Sequence, residues 1–152
     1  LVSNHLQDEA KSLGKHVFTI EEFLASKVNE FGGVDFTSEV KTIKLHGHCH
    51  QKSLSSLIPT KKLLSLPKNY SVQLIPSGCC GMAGSFGYEQ EHYEVSMNIG
   101  ELVLFPTVRK QPETVIIAAP GTSCRHQIKD GTGRIAKHPV EILYEALTIE
   151  TN

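Results

Sequence analysis

The segment KTIKLHGHCHQKS, Lys41 to Ser53, places His46, His48, Cys49 and His50 within five residues. Imidazole and thiolate side chains bind borderline and soft metals, and imidazole also moves protons near neutral pH. A second cluster, Cys79-Cys80-Gly81, and a fourth cysteine, Cys124 in PGTSC, complete the thiol inventory of the chain. A structural cysteine usually sits in an apolar stretch and behaves as a small hydrophobe. None of these four does. All lie in segments rich in Gly, Pro and His, which points to a metal or redox site built from Cys49, Cys79, Cys80 and Cys124.

The type of metal is less directly written. Zinc sites commonly announce themselves as Cys-x-x-Cys or His-Glu-x-x-His, and neither occurs here, so zinc is allowed but not signalled. An iron–sulfur cluster spreads its ligands over several irons and accepts widely separated cysteines. In an extended segment, Cys79 and Cys80 would point in opposite directions, so one could reach a metal and its neighbour a second iron or a redox partner. Gly81 would permit the sharp turn that follows. Disulfides are the weaker alternative, because adjacent cysteines bridge only with strain. A Cys49 nucleophile lacks an evident Asp or Asn partner for its neighbouring histidine.

Four apolar runs of strand length precede these residues: IKL before HGHCH, SVQLI before PSGCCG, TVIIAA before PGTSC, and RIAKH before PVEILYEAL. Each is followed by a segment of helical length, so the alternation predicts an α/β fold. The expected architecture is a parallel sheet of about four strands with helices on both faces. Helices are expected over Ile20 to Glu30, closed by Gly32 and Gly33, and over Ser53 to Ser65, Tyr88 to Arg109, Cys124 to Lys129 and Val140 to Leu147. LVSNHLQDEAKSLG reads as a helix entered partway along, which suggests a piece of a longer protein. Parallel strands align their carboxyl ends, and open α/β sheets bind ligands there. The loops carrying Cys49, Cys79, Cys80 and Cys124 should therefore meet in one metal or cluster site at the carboxyl edge.

Length and composition set the outer bounds. The 152 residues, 39% apolar with a formal net charge of −1, suit one domain with a core of its own. No basic cluster interleaved with aromatics marks a nucleic-acid surface, and no apolar run reaches membrane-spanning length. Gly81, Gly84 and Gly87 recur at a spacing that matches neither dinucleotide nor P-loop fingerprints, and read as a loop around a cluster. Glu89, Glu91 and Glu94 read as a solvated helix face. His126 is a candidate donor beside Cys124, whereas His5, His16, His92 and His138 read as surface or packing residues.

The combination of His46-x-x-Cys49-His50, Cys79-Cys80-Gly81 and Cys124 resembles the cysteine-rich CCG domain. This domain occurs in heterodisulfide reductase, in iron–sulfur subunits of glycolate and lactate oxidation systems, and at the C-terminal end of large FAD-linked oxidases. GCCGMAGSFGYEQEHYEVSMNIGE and PGTSCRHQ look most like the single-chain oxidases related to D-lactate and D-2-hydroxyglutarate dehydrogenases. The resemblance implies a metal ligand set of Cys49, Cys79, Cys80 and Cys124, with His46, His50, Gly78 and Gly81 contacting the bound group. It also divides the chain into 1–36, the tail of a preceding repeat with a lead-in helix, and 37–152, the cysteine-rich domain.

By the same resemblance the chain is an electron-transfer domain of a flavin-dependent 2-hydroxyacid dehydrogenase, not catalytically competent alone. Its cofactor here would be an iron–sulfur cluster, of the 4Fe–4S or another type, or zinc, with FAD in the full-length protein. Its partners would be flavin and ferredoxin-like domains of the same polypeptide and an electron acceptor, in the cytoplasm or peripherally at the inner membrane. The alternative is a structural zinc or metal-free module that docks the oxidase to its acceptor. Full versions of the motif end in Cys-x-x-Cys, whereas this chain has Gly121 at the earlier position, so the cluster type stays open.

Overall fold

The computed structural model describes residues 4–32 and 34–148; Leu1 to Ser3, Gly33 and 149–152 lie outside the described residues, with the helix entry and the Gly33 stop expected there. Helices α1 (Gln7–Gly14) and α2 (Ile20–Lys27) precede β1 (Lys41–Leu45), α3 (Cys49–Leu54), α4 (Ile58–Leu64) and β2 (Tyr70–Leu74). There follow α5 (Tyr93–Leu102), α6 (Leu104–Arg109), β3 (Ile116–Ala118), α7 (Thr122–Thr132), β4 (Ala136–Lys137) and α8 (Pro139–Glu145). The four strands form one parallel sheet in the order β2-β1-β3-β4. The α/β alternation read from the sequence is thus the fold.

Alternation along the strands sorts the core into two layers. Ile43 and Leu45 of β1, Val72 of β2 and Ala118 of β3 pack with Leu64 of α4 and Ile142 of α8 on one face. On the other, Ile117 and its neighbour Ala119 pack with Phe105 and Val108 of α6 and Ile128 of α7. Phe105 is fully buried, and its ring occupies space left by Gly100 and Gly131, where a Cβ would collide with it. Outside the first layer, Ala25 of α2 joins Leu63 and Leu143. Thr19 caps α2 reciprocally with Glu22, fixing where that helix starts.

Two expected helices are broken, for the same reason. The run expected over Ser53 to Ser65 is two helices, with Ser55 in a non-helical conformation between them. The run expected over Tyr88 to Arg109 begins with short 3-10 turns at Phe86–Tyr88 and Gln90–His92 and is interrupted at Val103. A proline lacks the N–H for the carbonyl four residues earlier and its ring crowds that carbonyl. Pro59 excludes Ser55 in this way, and Pro106 excludes Leu102, the last residue of α5. The helix expected from Ile20 to Glu30 is α helical to Lys27 and tightens to 3-10 over Val28–Glu30.

The strand order fixes where a site forms. From β1 the chain crosses to β2 on one side, and later returns to place β3 on the other. The loops leaving β1 and β3 therefore diverge at their carboxyl ends and open a crevice, the usual ligand position in such sheets. His46 N–H donates to Ala118 O at 2.8 Å, so the first histidine stands at that switch point.

Candidate metal centre

Cys49 and Cys124 lie in the first turns of α3 and α7, not in preceding loops, while Cys79 and Cys80 lie in the irregular segment after β2. The extended backbone of His48 and of Gly121 ends each strand connection and starts the helix that carries the cysteine. A cavity of about 450 Å³ is lined by His48, Cys49, His50, Cys79, Cys80 and Cys124, among others. All four cysteines thus meet at the carboxyl edge. They are free thiols in two tiers: Cys80 and Cys124 are buried, Cys49 and Cys79 half-buried at the mouth.

The deep tier is compact. A ring nitrogen of His46 and the sulfurs of Cys80 and Cys124 all lie within 4.8 Å of one another, and all three residues are buried. The two sulfurs are 3.3 Å apart and share a hydrogen bond. Donation from the Cys124 thiol, opposed by burial and assisted by His46 and the Met82 N–H, pulls Cys80 down to about 4. The same sharing, with burial added, pushes the Cys124 thiol up. His46 Nδ1 is 2.7 Å from Ser77 Oγ, whereas its Nε2 is buried with no hydrogen-bond partner.

A buried nitrogen without a partner is costly, and a thiolate inside a protein wants a cation. The donor set of one imidazole and several thiolates suits zinc or iron. These residues therefore fit a metal.

At the mouth, Cys49 Sγ lies 3.9 Å from Gly78 O, and burial followed by the neighbouring Cys79 pushes the Cys49 thiol up. Cys79 Sγ accepts from the Gly81 N–H at 3.2 Å. Lys52 Nζ donates to Ser77 O at 3.1 Å and to Gly78 O at 2.8 Å, tying α3 to the Cys-Cys segment. Arg125 Nη1 donates to Ala119 O and Pro120 O, holding the turn before Cys124.

Of the other residues singled out in the sequence, His50 is exposed on the cavity lining, and Gly84 lines it with Ala83. Gly78 contributes its carbonyl, and a Cβ there would meet nothing. Gly81 has φ +102° and packs so tightly against Ser96 that a Cβ would enter that carbonyl oxygen. Gly87 is likewise pressed against Ser96 and Met82, so these two glycines allow close packing on α5. His126 does not join the cysteines; its Nδ1 pairs with Tyr88 OH at 2.8 Å on the surface.

Three supporting residues, Ser77, Ser96 and Gln127, escaped the sequence reading. Ser77 orients His46, and Gln127 Nε2 donates to Ser96 O and Oγ at 3.1 and 2.9 Å in a buried link between α7 and α5. Only the buried position of Gln127, one turn beyond Cys124 on the inward face of a helix, was open to detection by spacing.

Comparison with known proteins finds relatives among dehydrogenases and their subunits. The chain is 26% identical over 142 residues, 93% of its length, to one of the subunits of anaerobic glycerol-3-phosphate dehydrogenase of Escherichia coli. It is 30% identical over 144 residues, 87% of its length, to D-2-hydroxyglutarate dehydrogenase of Haemophilus influenzae. Over 70 residues, 46% of its length, it is 40% identical to the enzyme of that name from Pantoea ananatis. The chain is homologous to part of each. It spans 35% of the length of the first, 13% of the second and 7% of the third. No family model matches the chain, and no solved structure matches it. Among the described residues no helix is long and apolar enough to cross a membrane.

Proposed function

We propose that this chain is the metal-binding, electron-transferring part of a flavin-linked dehydrogenase acting on a small hydroxylated acid or ester. The observation that carries the reading is the buried convergence of His46, Cys80 and Cys124 behind the half-buried thiols Cys49 and Cys79. In the tautomer that binds a metal, Nδ1–H of His46 donates to Ser77 Oγ and the Nε2 lone pair is left for the bound group. Cys80 enters as a thiolate already, and Cys124 yields its proton on binding. Cys49 and Cys79 complete the set from the rim. The bound group, if an iron–sulfur cluster, supplies one-electron chemistry; the protein holds its ligands and excludes water.

Residues 37–152 form the cysteine-rich CCG domain in this reading, and 1–36 are the tail of a preceding repeat with a lead-in helix. FAD, the hydroxy-acid substrate and the electron acceptor belong to the remainder of the protein. The resemblance through His46-x-x-Cys49-His50 and Cys79-Cys80-Gly81 supports it, as does homology to dehydrogenase proteins.

A second reading, a structural zinc module, is favoured by one distance. Thiolates on one tetrahedral zinc, with Zn–S of about 2.3 Å, stand roughly 4 Å apart. The 3.3 Å between Cys80 and Cys124 suits ligands of a single metal atom better than ligands of two irons. Metal and sulfide analysis with an absorption spectrum of anaerobically prepared protein decides between them. Iron with acid-labile sulfide and broad visible absorption supports electron transfer; one zinc without sulfide supports the structural module. Metal-free protein that takes up neither refutes both.

A further inference from the structure

The segment that carries Cys79 and Cys80 has little regular structure to hold it. The Ile75 N–H still donates to Leu45 O of β1 at 2.9 Å, but from Ile75 to Cys80 the chain belongs to no helix or strand. Gly78 brings no side chain, and nothing stands within 4 Å of where its Cβ would be. Such a backbone has many conformations open to it, whereas ligands from separate elements must be held in one.

Lys52 supplies a restraint. It stands one turn after Cys49 on α3, so the two residues are neighbours on the helix surface. It is an exposed residue, yet its Nζ turns back to donate to two successive carbonyls, Ser77 O at 3.1 Å and Gly78 O at 2.8 Å. Both acceptors belong to residues that already touch the site. Ser77 Oγ is 2.7 Å from His46 Nδ1, and Gly78 O lies 3.9 Å from Cys49 Sγ. One ammonium group thus joins α3, the partner of His46 and the residue before Cys79. Hydrogen bonds from a charged donor are the stronger kind. The charge also bears on Cys49: burial and then Cys79 push that thiol up, and Lys52 pulls against them.

We propose that Lys52 is a positioning residue of the cysteine site: its ammonium pins the Ser77 and Gly78 carbonyls and so holds Cys79 and Cys80 in register with His46 and Cys49. A lysine suits this place better than a neutral donor, because thiols give up protons to a metal and its charge offsets what they leave. The effect on metal binding rests on the function proposed above, while the grip on the segment does not.

Two variants of the full chain test this, prepared reduced and metal-free: Lys52→Met, which removes the charge and the donors, and Lys52→Arg, which keeps both. At an exposed position both should leave the urea unfolding midpoint close to that of wild type. Alkylation of buried Cys80 by iodoacetamide, followed by peptide mass, should be several-fold faster in Lys52→Met and slow again in Lys52→Arg. Zinc affinity, read by competition with a colorimetric chelator, should fall roughly tenfold in Lys52→Met, the lower end of the cost of losing a residue that orients a ligand, and recover in Lys52→Arg. Unchanged Cys80 alkylation in Lys52→Met would overturn the assignment, as would an arginine variant that behaves like the methionine one. Faster alkylation with unchanged zinc affinity would overturn it too, since the grip would then not serve the site. A wild-type chain that takes up no metal, with Cys80 alkylation still faster in Lys52→Met, would sink the metal reading and leave the positioning role standing.

Discussion

At the scale of single residues, the site depends on one thiolate and one oriented imidazole. Ser77→Ala removes the partner of His46 Nδ1 in a fully buried place. Metal affinity should fall about 10–100-fold, as for other residues that orient a ligand, and stability by about 1–3 kcal/mol. Competitive metal titration and urea unfolding check the two separately. Cys80 gives a pH signature in metal-free protein. Its folded value near 4 lies below the free-thiol value of about 8.5, so its contribution to stability is fully present above the latter and is lost as pH falls through the former. Cys124 and Cys49, pushed up, carry the opposite sign and destabilise the folded chain only above the free-thiol range. The stability difference between wild type and Cys80→Ser should therefore shrink steadily from about pH 8 to about pH 4. A difference that stays constant across that window would show that Cys80 is not held as a thiolate. The cysteines were legible because strand-end loops are poor places for structural thiols. Ser77 was not, since a serine after Pro76 reads as a turn residue and its histidine partner is 31 positions away.

At the scale of elements, parallel strands and their order of appearance could be read, because β-branched runs alternating with helical segments admit few arrangements. The breaks at Ser55 and Val103 could have been found from Pro59 and Pro106, but hydrophobic periodicity runs through both and conceals them. The contacts of Phe105 were beyond reach, since they bring Gly131 of α7 onto the α5–α6 pair from 26 positions away. They reverse a familiar sign. Gly→Ala in an open helix stabilises by up to about 1 kcal/mol. Gly100→Ala should instead destabilise by about 1–3 kcal/mol, because the new methyl meets the Phe105 ring. The double variant with Phe105→Leu should recover part of that loss, a coupling read by comparing the unfolding free energies of the two single variants and the pair. Gly81→Ala is a different case, with positive φ and the Ser96 carbonyl both opposed to it. It should cost more than Gly100→Ala in the same assay.

At the scale of the whole molecule, the isolated chain should bind metal yet fail to oxidise D-lactate or D-2-hydroxyglutarate, since hydride chemistry belongs to a flavin carried elsewhere in the proposed assembly. Turnover of either acid by the chain alone would overturn that division of labour. The strand order has a further consequence, for timing. Cys80 and Cys124 lie 44 positions apart, and Cys124 reaches His46 only once β3 has inserted beside β1 on the side away from β2. A nascent chain that has exposed everything up to α6 holds His46, Cys49, Cys79 and Cys80 but no closed site. In the proposed reading, whatever delivers the metal must wait for a nearly finished sheet, and a chain stalled during synthesis offers it only a partial grip.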